Sequence, residues 1–180
     1  MQTILLIRHA EKPERHTTAR GVSEEGTLDA NELTVQGWQR AGALAQLFTS
    51  ATTRHPALTA PSRLFAAART PESSSRRSIS TLEPLARVIG HPVQTSFGPG
   101  QEQELATHVC QLDGTTLIAR EHKRLPRLAA NISNDGTQPP VNWPDDRFDL
   151  VWIFVSEADG TRRFVQVAQR PLAGDRAERL

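Results

Sequence analysis

Cysteine is nearly missing from this sequence: Cys110 stands alone among 180 residues, so no intramolecular disulfide can form. Set in an apolar-periodic segment, it reads as a small core residue rather than a nucleophile. Long hydrophobic runs are missing too. The first, Ile4 to Ile7, is too short for a secretory signal and leads straight into Arg8 and His9. No stretch approaches the ~20 apolar residues of a membrane-spanning helix. The expectation is a cytoplasmic protein with no membrane partner. An excess of one charge is also lacking, since 21 basic and 20 acidic side chains leave a net charge of +1. A nucleic-acid partner would need a concentrated basic surface, so none is expected. The six histidines include no pair at i, i+4 around a carboxylate, and no metal site is expected. Repeats, linkers and low-complexity tracts do not occur. The length suits one domain with a real core, here residues 1–170, followed by a polar tail at 171–180 that should fray.

Apolar runs and breakers alternate along the chain. Thr3 to Ile7 reads as a strand buried on both faces, and 10–32 as a long polar loop. Thr34 can cap a helix running to about Ser50, with Trp38, Ala41, Leu44, Ala45 and Phe48 on one face. Arg63 to Ala68 is a second strand. Ser73 to Ser75 can cap a helical segment ending at Ile89, which Pro84 should divide. Pro92 to Ser96 is a short strand, Gln101 to Leu112 is amphipathic, and Thr115 to Ala119 is another buried strand. A helix over Arg124 to Asn134 and a proline-rich loop at 135–147 follow. Asp149 to Val155 and Arg162 to Ala168 flank Asp159-Gly160, a hairpin signal. The pattern predicts an α/β fold: a three-layer α/β/α sandwich around a mostly parallel, doubly wound sheet with a C-terminal antiparallel hairpin.

Ligands of such sheets bind beyond the carboxyl ends of the strands. That edge should gather Arg8-His9, the region after Ala68, and Arg120-Glu121-His122. Arginine suits phosphate because its planar fork donates two hydrogen bonds and stays charged. A histidine flanked by arginines has its imidazolium form disfavoured, which keeps it neutral and nucleophilic. The combination points to phosphoryl transfer.

The segment Arg8-His9-Ala10-Glu11-Lys12-Pro13 resembles the Arg-His-Gly signature of the histidine phosphatase superfamily, the phosphoglycerate mutase-like proteins. Leu33-Thr34-Val35-Gln36-Gly37 is similar to that family's Leu-Thr-x-x-Gly segment. Arg77-Ser78-Ile79-Ser80-Thr81 matches its Arg-Ala-x-x-Thr spacing, and Thr116 to Lys123 resembles the strand that ends in its second histidine. Together these motifs cover residues 3 to 132. The resemblance implies that His9 becomes the phosphohistidine and that Arg8 and Arg77 grip the phosphoryl oxygens. It implies that His122 is the second histidine, and that neither metal nor organic cofactor takes part. Lys12 and Lys123 are expected to bind substrate. Ala10 departs from the family's glycine, and Lys123 stands where a small residue is commoner. The Glu-His-Lys subgroup resembles uncharacterised members.

A phosphomonoester leaving group needs a proton donor. Glu102, placed like the glutamate of one branch of the family, ranks first. Glu121 adjoins His122, but strand alternation should turn it away; Glu11 could instead orient the nucleophile. The expected activity is hydrolysis of a phosphomonoester, on a phosphorylated small molecule or a phosphoprotein. The alternative is a non-catalytic phosphate-ligand sensor or interaction module that retains the pocket. A mutase reading is weaker. Mutases of this family resemble longer chains with a substrate-gripping insertion between the second arginine and the second histidine, and the stretch between Arg77 and His122 is too short for one.

Overall fold

The computed structural model describes residues 2–14, 16–50, 55–56, 58–134 and 138–180. The first three residues of the predicted 135–147 loop therefore lie outside the described residues. Ten elements alternate along the chain: β1 (Gln2–Arg8), α1 (Val35–Thr49), β2 (Arg63–Ala67), α2 (Arg77–Ile89), β3 (Val93–Phe97), α3 (Glu102–Val109), β4 (Gly114–Arg120), α4 (Leu125–Ile132), β5 (Leu150–Ser156) and β6 (Arg162–Ala168). The strands form one sheet in the order β3-β2-β4-β1-β5-β6. Pairings β1–β4, β2–β3 and β2–β4 are parallel, whereas β1–β5 and β5–β6 are antiparallel.

This order decides where the helices go. From β1 the chain moves outward through α1 and α2 to β3, then returns through α3 to place β4 beside β1. Right-handed crossovers travelling in opposite directions cover opposite faces of the sheet. Leu5, Ile7, Leu64, Ala66, Leu117 and Ala119 accordingly pack against Leu44, Phe48, Leu82 and Leu85 of α1 and α2. Ile4, Leu6, Phe65 and Ile118 pack with Leu105, Val109, Leu125 and Leu128 of α3 and α4. Trp152 is fully buried in that second layer, its ring 4.7 Å from Trp143. The apolar run Ile4 to Ile7 reflects this, because alternating side chains feed both cores.

The predicted elements form with shifts of one to a few residues, except around α2. Ser73 to Ser75 do not cap it. Thr70 and Ser73 form a bridge, Ser74 Oγ donates to Asn31 Oδ1 at 3.0 Å, and the helix begins at Arg77. Pro84 does not divide it either; α2 runs unbroken to Ile89 and ends on Gly90, whose φ of 69° suits a left-handed cap. Burial of Leu82 and Leu85 on the sheet outweighs the one backbone hydrogen bond that Pro84 removes. The polar tail does not fray: Asp175 pairs with Arg40, Glu178 O accepts from Arg147, and Arg176 N donates to Asp149.

The start of α1 is joined to the segment after β1. Thr34 Oγ1 accepts from Gly37 N at 3.1 Å, and both Thr34 N and its hydroxyl donate to Glu11 O. Gly37 is needed for this approach, since a Cβ there would stand 2.4 Å from Glu11 O. In an exposed helix Ala would be favoured over Gly by about 1 kcal/mol. Here Gly37→Ala is expected to destabilise the fold by about 1–3 kcal/mol, as overpacking does, and to lower any activity that depends on His9. Urea melts check this; a variant as stable as wild type would show that α1 can shift freely.

Candidate active site

The carboxyl ends of β1 and β4 lie side by side at the point where the crossovers diverge, which is where open α/β sheets bind ligands. The register pairs Arg8 with Arg120, and His9 N continues the ladder by donating to Arg120 O at 3.0 Å. Alternation sends Arg8 and His9 to opposite sides. His9 falls on the α2 side, where Ala10 N donates to Thr81 Oγ1 at 2.8 Å and the Thr81 hydroxyl donates to Arg77 O at 2.6 Å. The Arg-Ser-Ile-Ser-Thr spacing thus puts a threonine one helical turn from Arg77, where it ties α2 to the histidine loop.

His9 is buried, and its Nδ1 lies 2.8 Å from Ala10 O. A carbonyl only accepts, so Nδ1 carries the proton and Nε2 keeps its lone pair. Burial, followed by the charges of Arg8, Arg77 and Lys12, pushes the imidazole from its ordinary 6.5 down to about 3, against the opposing pull of the Ala10 bond. Between those values the unfolded chain binds a proton that the folded chain refuses. Folding stability is therefore expected to fall as pH drops from about 6.5 towards 3. Burial shifts His122 in the same direction. Urea melts across that window should show a shallower slope in His9→Asn; equal slopes would mean that His9 titrates normally.

His9 lines a cavity of about 230 Å³ together with Lys12, Arg77, Ser78, Arg120, Glu121 and Arg124. Arg77 is held by Glu32 O at 3.4 Å and Ala30 O at 2.5 Å. Its neighbour Arg76 is turned away into ion pairs with Glu32 and Glu83. α2 begins at this cavity, and no side chain caps its first turn. Arg120 is fully buried, donating to Gly98 O at 3.1 Å and Phe97 O at 3.0 Å; burial lowers its guanidinium to about 10.

Arg8 and His122 stand on the other side of the strand end. The Arg8 guanidinium lies 3.7 Å from the centre of the Phe148 ring, and its Nη1 donates to Pro144 O, Asp145 O and Arg147 O. Burial lowers it to about 10. The arrangement leaves Nε buried without a protein partner. His122 is buried with its Nε2 against the Asp145 carboxylate, and with Lys123 it lines a separate hollow that includes Trp143. Sequence reasoning missed Asp145. Its only signal is its place in the proline-rich loop, and no spacing connects it to His122.

The three weighed carboxylates have different surroundings. Glu102 is fully enclosed at the start of α3, where Oε1 accepts from Gly100 N at 3.0 Å, and it does not line the His9 cavity. Glu11 is forked onto Arg40, with Nε at 2.9 and 3.0 Å from its two oxygens and Nη2 at 2.7 Å. Glu121 is turned away from His122, as alternation implies, and is the carboxylate that lines the His9 cavity. Alternation carries on past the strand end: Glu121 follows Ala119 onto the His9 side, and His122 follows Arg120 onto the other.

By sequence, the chain matches no protein-family model and no curated protein. By structure it is similar to the protein histidine phosphatase SixA complexed with tungstate. The TM-score is 0.58 at 15% identity, covering 93% of this chain and 97% of the other. It is also similar to a mutant phosphoserine phosphatase from Entamoeba histolytica in complex with phosphoserine. There the TM-score is 0.59 at 10% identity, over 95% and 98% of the two chains. The chain shares the fold of these two phosphatases, in line with the α/β sandwich expected from the sequence. No helix among the described residues is long and apolar enough to cross a membrane.

Proposed function

We propose that this protein is a phosphatase that hydrolyses a phosphomonoester through a phosphohistidine on His9. The observation that carries the reading is His9 itself: unprotonated at Nε2, fixed through Nδ1, and in one cavity with Arg77 and the uncapped start of α2. Nε2 attacks phosphorus, the bond to the ester oxygen breaks, and the leaving alcohol takes a proton. Water then attacks the phosphohistidine and releases phosphate. Arg77 and the first-turn amides of α2 stabilise the equatorial oxygens. Arg8, with Nη1 occupied by loop carbonyls, offers its remaining donors to the same group. His122, held against the Asp145 carboxylate across the strand end, is assigned the part of the second histidine. Glu121 is the proton donor best placed, because it lines the cavity with His9, while Glu102 is committed elsewhere. The side chains supply nucleophile, charge and proton, so the reading assigns the reaction neither metal nor cofactor. It places the enzyme in the cytoplasm, acting on a phosphorylated small molecule or a phosphoprotein.

The test is a rapid quench with an aryl phosphate labelled at phosphorus, with the chain treated with EDTA. Labelled phosphate should appear on the protein, stable to base and labile to acid. No labelled protein and no phosphate release would sink the proposal. Binding of vanadate under those conditions would favour the non-catalytic sensor instead.

A further inference from the structure

We infer that Ser78 is a further catalytic residue: its hydroxyl donates a hydrogen bond to an equatorial oxygen of the phosphoryl group that passes to His9. The inference deepens the function proposed above and rests on its placing phosphoryl transfer in the His9 cavity. Ser78 lines that cavity beside Arg77 and is only 7% exposed. Its hydroxyl has no hydrogen-bond partner among the described residues. The other hydroxyls of the same helix are committed. Ser80 Oγ donates to Glu32 Oε2 at 2.6 Å, and Thr81 Oγ1 is shared between Ala10 N and Arg77 O. A hydroxyl withdrawn from water without a partner is costly, and the cost is recovered when an acceptor enters the cavity.

The place of Ser78 in α2 says which acceptor. Ser78 stands three residues before Thr81, and residues so spaced share one face of a helix. Thr81 Oγ1 accepts from Ala10 N at 2.8 Å, so this face is the one turned to the histidine loop. Helical side chains lean towards the helix N-terminus, which sends the Ser78 hydroxyl from that face into the cavity at the start of α2. No side chain caps this start. The hydroxyl and the uncapped first-turn amides therefore converge where His9 receives phosphorus. The bonds made and broken are those of the proposed reaction. Ser78 keeps its own proton and meets charge on an oxygen that Arg77 also holds. The resembled Arg-Ala-x-x-Thr segment has alanine at this position, so the hydroxyl is an addition of this chain to that pattern.

Ser78→Ala separates this role from a structural one. Alanine removes an unpaired buried hydroxyl and is the better helix former, so the urea midpoint should stay level or rise. With p-nitrophenyl phosphate, kcat/KM should nonetheless fall about tenfold to a hundredfold, the loss of one hydrogen bond to a charged group. Vanadate, measured by calorimetry, should bind at least about tenfold more weakly than to wild type. A change below about tenfold in either quantity overturns the inference. So does a fall in the urea midpoint that accompanies the loss of activity, since that marks a structural hydroxyl. Vanadate binding needs no turnover. A chain that forms no phosphoenzyme can therefore still show the Ser78 effect, and one that forms it can lack the effect, so the two readings fail separately.

Discussion

His9→Asn is expected to lower kcat/KM for phosphomonoesters by about a thousandfold or more. Asparagine keeps a polar group at the strand end but has no nitrogen lone pair that can accept a phosphoryl group. Arg77, Lys12 and the start of α2 remain in place, since α2 is tied to the loop through Ala10 N and Thr81 rather than through the imidazole. Phosphate should therefore still bind, and the loss should appear in kcat. Steady-state kinetics with p-nitrophenyl phosphate and phosphate inhibition separate the two effects. Activity within tenfold of wild type would remove His9 from the mechanism.

Arg40→Met is expected to destabilise the fold by about 3–5 kcal/mol, the cost of removing one member of a buried charge cluster. Arg40 is 3% exposed, and its fork holds Glu11 at 2.7 Å and Asp175 at 2.7 Å. Burial works against its charge, but the hydrogen bonds to Asp175 and Glu11 prevail and raise its pKa. Without the guanidinium, two carboxylates with little access to water face each other unpaired. Glu11 lies two residues after His9, and Asp175 anchors the tail, so the loss should reach both. Guanidinium melts at pH 7 measure the cost. A loss below about 1 kcal/mol, the range of surface pairs, would mean that water already screens the cluster.

Arg40 also shows where sequence reasoning stops. Helical spacing finds the buried stripe of Ala41, Leu44, Ala45 and Phe48, but gives Arg40 at its edge no partner. Only the meeting of residues 11, 40 and 175 makes it a buried charge. Pro84 is a similar case: its local rule predicts a division in α2, and packing against the sheet overrides it. Glu121 rather than Glu102 lines the His9 cavity, because alternation past β4 turns Glu121 to the His9 side and His122 to the other. The sequence did not show that His9 and His122 would lie on opposite sides. The preference for Arg77 over Arg76 comes from the resemblance to the family's Arg-Ala-x-x-Thr segment; in the structure Arg77 lines the cavity and Arg76 pairs with Glu32 and Glu83.

Strand and helix identities, the three layers and the sheet edge carrying Arg8-His9 and Arg120-Glu121-His122 were determined by the sequence alone. Hydrophobic period and strand ends are local properties that survive any packing arrangement. Which charges face the cavity, which are consumed by backbone carbonyls, and which carboxylate lines the cavity were decided by tertiary structure. Those depend on contacts between residues far apart in the chain, and no local pattern encodes them.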